Sequence, residues 1–170
     1  CAAFQMKHGA ATAHRIFSIG IHHIVRLQAQ RVKQLQKRFW KYRLSVLDEF
    51  SMLGRKFLGK ILFRTGQILG AIPPEFSEDV TFGGLDVILA GRGDQAKPIG
   101  DDSIFKTGPY TGKGVNKGPD GKAAEPTYKE LSEQGRLAMC EFDDVVLLRR
   151  VHRTRVGGGD SAADAFLAKM

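Results

Sequence analysis

Three short apolar runs in this chain each stop at a polar cluster, and stretches of helical periodicity stand between them. Val46-Leu47 ends in Asp48-Glu49, residues 85–90 end in Gly91-Arg92-Gly93-Asp94-Gln95, and residues 145–148 end in the arginine-rich residues 149–153. Short apolar runs bounded by polar residues read as strands buried in a parallel sheet. Strands that alternate with helices give an α/β fold. In such a sheet the three clusters gather along one edge, outside the carboxyl ends of the strands, where these folds bind ligands.

The intervening segments read as helices and loops. Residues 12–17 open a short helix with Thr12 or a neighbour as its cap. Between Val25 and Tyr42, the spacing of Val25, Val32 and Phe39, with Leu35 and Tyr42 beside them, predicts an amphipathic helix. Arg26, Arg31, Lys33, Lys37, Arg38, Lys41 and Arg43 fill much of the remainder. Docking on a core with a solvated basic face is the expected state, and a membrane-surface or calmodulin-target helix is the alternative. Phe39 and Trp40 are assigned to packing rather than to stacking on bases.

From Met52 to Leu69 the helical spacing continues through Gly54, Gly59 and Gly66, which weaken its regularity, and Pro73-Pro74 ends it. Residues 91–126 turn to Gly, Pro, Lys and Asp and read as a long loop. A helix is expected over residues 128–140 with a break at Gly135, and Cys140 is read as a small buried apolar residue. Gly157-Gly158-Gly159 is a hinge, followed by a helical segment to Met170.

A length of 170 residues with 42% hydrophobic and 26% charged residues suits a single globular domain. The formal net charge of +8 and pI near 9.7 favour a polyanionic partner, nucleic acid foremost. Two cysteines, Cys1 and Cys140, point to a reducing compartment rather than a disulfide scaffold. Neither a membrane-spanning run nor a signal peptide is read, so no membrane partner is expected. His22-His23 lacks further ligands at zinc spacing, so no metal cluster is expected either. Because Cys1-Ala2-Ala3-Phe4 reads like the end of a strand, the chain is expected to be a piece of something longer.

The polar clusters have chemistry in common. An aspartate at a strand end can hold Mg²⁺, directly or through water, while an adjacent glutamate orients or deprotonates a water. A glutamine can sense a terminal phosphate, and an arginine can neutralise charge that develops during transfer. The plain alternative is that Asp48-Glu49 are acids favoured by the dipole of a following helix.

Five blocks, in order, resemble the PIF-type DNA helicases of superfamily one, in particular those carried by Helitron transposons. Ala2-Ala3-Phe4 with Gly9, Thr12 and His14 is similar to the segment after the Walker A loop. Leu47-Asp48-Glu49-Phe50-Ser51-Met52 resembles the Walker B run. Phe82-Gly83-Gly84 through Leu89 is similar to the next strand. Gly91 through Gln95 to Pro98-Ile99-Gly100-Asp101 resembles the fourth block, and Val146-Leu147-Leu148 through Arg153 resembles the last. The resemblance implies a three-layer RecA-like P-loop NTPase lobe spanning residues 1–156, incomplete at its N-terminus, with residues 157–170 starting the next segment.

It further implies an ATP-dependent 5′-to-3′ helicase of repair, recombination or telomere maintenance, with ATP and Mg²⁺ as cofactors. Single-stranded and forked DNA are the implied partners, and the nucleus, or else the mitochondrion, the implied location. Carried over, Asp48 helps hold Mg²⁺, Glu49 activates water, Gln95 and Arg153 contact the γ-phosphate, and Thr12 and His14 lie along the DNA track. Arg92 and Gly93 depart from the family's acid and aromatic, and Ala96 and Lys97 replace a leucine and a proline. The Walker A loop would precede Cys1, so weak nucleotide binding is expected of this chain by itself. Gly108 to Gly114, the nearest lookalike, has the wrong spacing and no Ser or Thr after Lys113. A non-catalytic nucleic-acid-binding remnant is the rival reading.

Overall fold

Leu44–Leu47 (β1) and Asp86–Leu89 (β2) pair in parallel, with Leu44 opposite Asp86 and Leu47 opposite Leu89. The structure, a computed structural model, describes residues 11–21, 23–70, 81–93, 96–124 and 126–148. The described helices are Ala13–Ile16 (α1), Ala29–Phe39 (α2), Arg55–Leu69 (α3) and Tyr128–Met139 (α4), with 3-10 turns at Phe50–Met52 and Thr81–Gly84. Parallel strands joined through helical segments bear out the expected α/β class.

Each boundary has a local cause. Thr12 caps α1 by accepting the Arg15 N–H at 3.4 Å. Thr127 and Glu130 form a reciprocal capping box at the start of α4, each side chain bonding the other's backbone N–H. Phe82 and Gly83 both adopt positive φ, 55° and 64°, and turn the chain into β2. At Gly83 a β-carbon would lie 2.7 Å from Leu69 Cβ and 2.9 Å from Thr65 O, so the turn needs glycine to pack on α3.

The core is built where α3 meets α4. Leu58, Ile61 and Ile68 from α3 and Leu131 from α4 are fully buried, and Leu35 and Phe39 of α2 close the same cluster. Two glycines explain the close approach. A β-carbon at Gly59 would overlap the Leu131 carbonyl, and one at Gly135 would overlap the Arg55 carbonyl. Gly135 therefore does not break α4, which runs unbroken to Met139. The glycines that weakened the sequence reading are contact points.

Two expectations fail. Val145, Val146, Leu147 and Leu148 form no strand, and they are 76–91% exposed. A strand exists only when its N–H and C=O groups meet a partner, and among the described residues none pairs with this segment. Cys140 is exposed rather than buried, because it caps the C-terminal end of α4 beside the exposed Leu137. The hinge and final helix expected after residue 156 lie outside the described residues. No described helix is long and apolar enough to cross a membrane.

Candidate active-site edge

The carboxyl ends of the two strands are laced together. Ala90 N–H donates to Leu47 O at 2.9 Å, and Phe50 N–H donates to Ala90 O at 3.0 Å. Gly91 then lies against the turn at the end of β1. At φ 139°, a β-carbon there would come 3.0 Å from Phe50 N and 3.1 Å from Glu49 Cα. Asp48-Glu49 and the start of the segment leading to Gln95 are thus adjacent, as a parallel sheet requires.

Glu49 stands in the left-handed region, φ 58° and ψ 47°, between β1 and the 3-10 turn. For a residue with a β-carbon this conformation costs about 1–3 kcal/mol, and such strain clusters at functional sites. Asp48 Oδ1 accepts the Glu49 N–H at 2.9 Å, which helps hold the turn. Asp48 is exposed and Glu49 half-buried, so the two carboxylates meet different surroundings.

Asp94 and Gln95 lie outside the described residues, as do Arg149, Arg150 and Arg153. Thr12 caps α1, and His14 lies within α1 against Phe57 of α3. The His14 ring stacks on Phe57 with centroids 4.4 Å apart, and burial and the nearby Lys60 lower its pKa. Of the two aromatics assigned to packing, Phe39 is buried, but Trp40 is 69% exposed.

Asp101, which closes one of the resemblance blocks, and Asp102, which the sequence reading did not single out, organise the loop beside this edge. Asp101 accepts the N–H groups of Lys56 (3.1 Å) and Phe57 (3.0 Å), capping α3 from a distant part of the chain. Burial raises its pKa against these hydrogen bonds. Asp102 is buried and accepts from the Lys106 ammonium (2.7 Å), the Thr111 N–H (2.8 Å) and the Thr111 hydroxyl (2.7 Å). Burial pushes its pKa up, but these bonds outweigh burial and bring it down to about 2. Phe105 packs edge-on against Phe50, the residue after Glu49, at 5.6 Å.

The donor set fits Mg²⁺ in its usual manner. Asp48 offers an exposed hard oxygen at a strand end, and Mg²⁺ needs only one or two carboxylates besides water and phosphate oxygens. Among the described residues no group of three or more metal-ligating side chains occurs. The Gly108 to Gly114 stretch is committed to internal contacts. Thr111 bonds Asp102, and a β-carbon at Gly112 would overlap the Tyr110 ring. The described edge supplies carboxylates rather than a phosphate cradle.

A protein-family model described as PIF1-like helicase matches residues 1–106. Among solved structures, a crystal structure of Bacteroides Pif1 bound to ssDNA is similar over 54% of this chain at 26% identity, with a TM-score of 0.43. The match spans 20% of that chain. No curated protein matches the chain.

Proposed function

The chain belongs to the PIF1-like helicase family, and on that premise we propose that it forms part of the first motor lobe of an ATP-dependent 5′-to-3′ DNA helicase. The observation that carries the reading is the meeting of Asp48-Glu49 with Gly91 at one sheet edge, within the residues the family model matches. Bound Mg²⁺ neutralises phosphate charge and organises the triphosphate. Asp48 would help hold this ion, and Glu49 would orient and deprotonate the attacking water.

In this proposal Gln95 and Arg153 complete the γ-phosphate contacts, and Thr12 and His14 follow single-stranded DNA. Forked DNA is the unwinding substrate, and repair, recombination or telomere maintenance in the nucleus or mitochondrion is the setting. The test is Glu49→Gln in the full-length protein. DNA-stimulated ATPase activity should fall by about 100-fold or more, and survival within about tenfold would refute Glu49 as the base.

Arg92 and Gly93 support a second reading. They replace an acid and an aromatic directly after the glycine that touches Glu49. A catalytically inactive nucleic-acid-binding remnant would bind DNA with strong salt dependence and no response to nucleotide, even when extended upstream.

A further inference from the structure

We propose that the exposed face of α2 and the turn after it form a second nucleic-acid contact, which grips single-stranded nucleic acid by its phosphates and stacks on its bases. This surface goes beyond the motor reading and needs no hydrolysis. The charge distribution leads to it. Nine lysines and arginines and not one acidic residue precede Asp48, while the 17 basic and 18 acidic residues from Asp48 onward nearly cancel. The net positive charge of the chain is thus concentrated in its first 47 residues.

Arg26, Arg31, Lys33, Lys37, Arg38, Lys41 and Arg43 are all exposed. Among the described residues none of them forms an ion pair with an acid. Arg31 bonds Gln34 Oε1 at 3.0 Å and Ser18 Oγ at 3.4 Å, and Arg26 lies over the Phe63 ring. A merely solvated helix face gains from acids spaced three or four residues from its bases, and α2 has none. The helix dipole accounts for Lys37 and Arg38 in the last turn, but it opposes Arg31 and Lys33 near the first. An external anion relieves that repulsion.

The occupant follows from what α2 has left to offer. Leu35 and Phe39 are 3% and 4% exposed, so the apolar side is spent on the core. Neither a bilayer nor a groove that takes an amphipathic helix can receive it. What remains is a cationic face that ends in two exposed aromatic rings, Trp40 at 69% and Tyr42 at 55%, interleaved with Lys41 and Arg43. Cations that track phosphates beside rings that stack on unpaired bases are the means by which single strands are bound without sequence preference. The surface lies at the start of β1, about 13 Å of strand away from Asp48.

Trp40 is the only tryptophan of the chain, so its emission reports directly on this surface. The experiment titrates the full chain with oligo(dT), without nucleotide, across a salt series, for wild type and for Lys33→Gln/Lys37→Gln. Trp40 emission should be quenched, and the double variant should bind more weakly, with the log K against log salt slope reduced by about 1.4, at about 0.7 per lost phosphate contact. Unchanged thermal melting would confirm that the variant is folded. Three results would overturn the proposal: a wild-type salt slope in the variant, oligo(dT) binding that leaves Trp40 silent, or a Trp40 response to phosphatidylserine vesicles or duplex DNA in preference to oligo(dT). Because no nucleotide is present, a failed Glu49→Gln test would leave this result standing.

Discussion

The carboxylate of Asp101 occupies the space that a β-carbon at Gly54 would fill. Gly54 is the N-cap of α3 and has no side chain of its own to satisfy the first amides, so Asp101 does it from a loop 44 residues beyond Phe57. Asp101→Ala should lower stability by about 1–2 kcal/mol, the usual cost of a lost cap. Gly54→Ala should cost at least as much by expelling the same carboxylate, and the double variant should cost less than the sum of the two. Urea midpoints for the three proteins decide it, and strict additivity would mean that the two residues act independently.

The glycines of α3 and α4 should separate by the sign of their response to alanine. In an exposed helix interior, Gly→Ala gains about 0.5–1 kcal/mol. Gly66 has nothing within 4 Å of its would-be β-carbon, so Gly66→Ala should raise the melting temperature. Gly59→Ala and Gly135→Ala should lower it, because each methyl meets a carbonyl of the facing helix, and overpacking of this kind costs about 1–3 kcal/mol. A gain at Gly59 or Gly135 would mean that the helices stand further apart.

This contrast shows which parts were legible in the sequence. The Thr12 cap, the basic amphipathic α2 and the parallel strands ending in Asp48-Glu49 and Gly91 follow from local pattern, because period and capping chemistry act within a few residues. The structure gives α2 over Ala29–Phe39, within the helix expected between Val25 and Tyr42. Asp101 on α3, Asp102 on Thr111 and the glycine contacts between α3 and α4 depend on which segment arrives from elsewhere, and periodicity carries no such information. Residues 145–148 have strand composition without a strand partner, so composition misled there. At the candidate site the sequence supplied the residue types, and the structure added the left-handed turn at Glu49 and the close approach of Gly91 to it.

Asp102 should make the fold acid-sensitive in a narrow window. Its pKa is held at about 2 against an ordinary 3.8. A depressed carboxylate contributes stability that is fully present above its unfolded value and is lost as pH falls through the folded one. Wild type should therefore lose stability between about pH 4 and pH 2, and Asp102→Asn should start less stable and lose less over that range. Denaturant titrations at pH 5, 3 and 2 would show equal slopes for both proteins if Asp102 were not held in this way.

Lys60 should act at the other end of the scale. It is buried, with its ammonium 5.4 Å from the ring centroid of Tyr128 in α4 and 3.5 Å from the Ile21 carbonyl. Burial first, and then the charge of Lys56, bring its pKa down from 10.5 to about 8, while Asp101 pulls the other way. Between these two values the unfolded chain binds a proton that the folded chain does not, so the Lys60 contribution makes stability rise with pH. Below pH 8 the folded protein carries the buried charge, and the cost of that charge is greatest there. Lys60→Met keeps the packing and removes the titration, so it should be more stable than wild type at pH 7 and lose that advantage towards pH 10. His14 stacks on Phe57 one turn away from Lys60 and feels the same charge, so its pKa should rise in the Lys60→Met protein, readable from its imidazole NMR titration. An unmoved His14 titration together with a flat stability difference from pH 7 to pH 10 would mean that Lys60 reaches solvent.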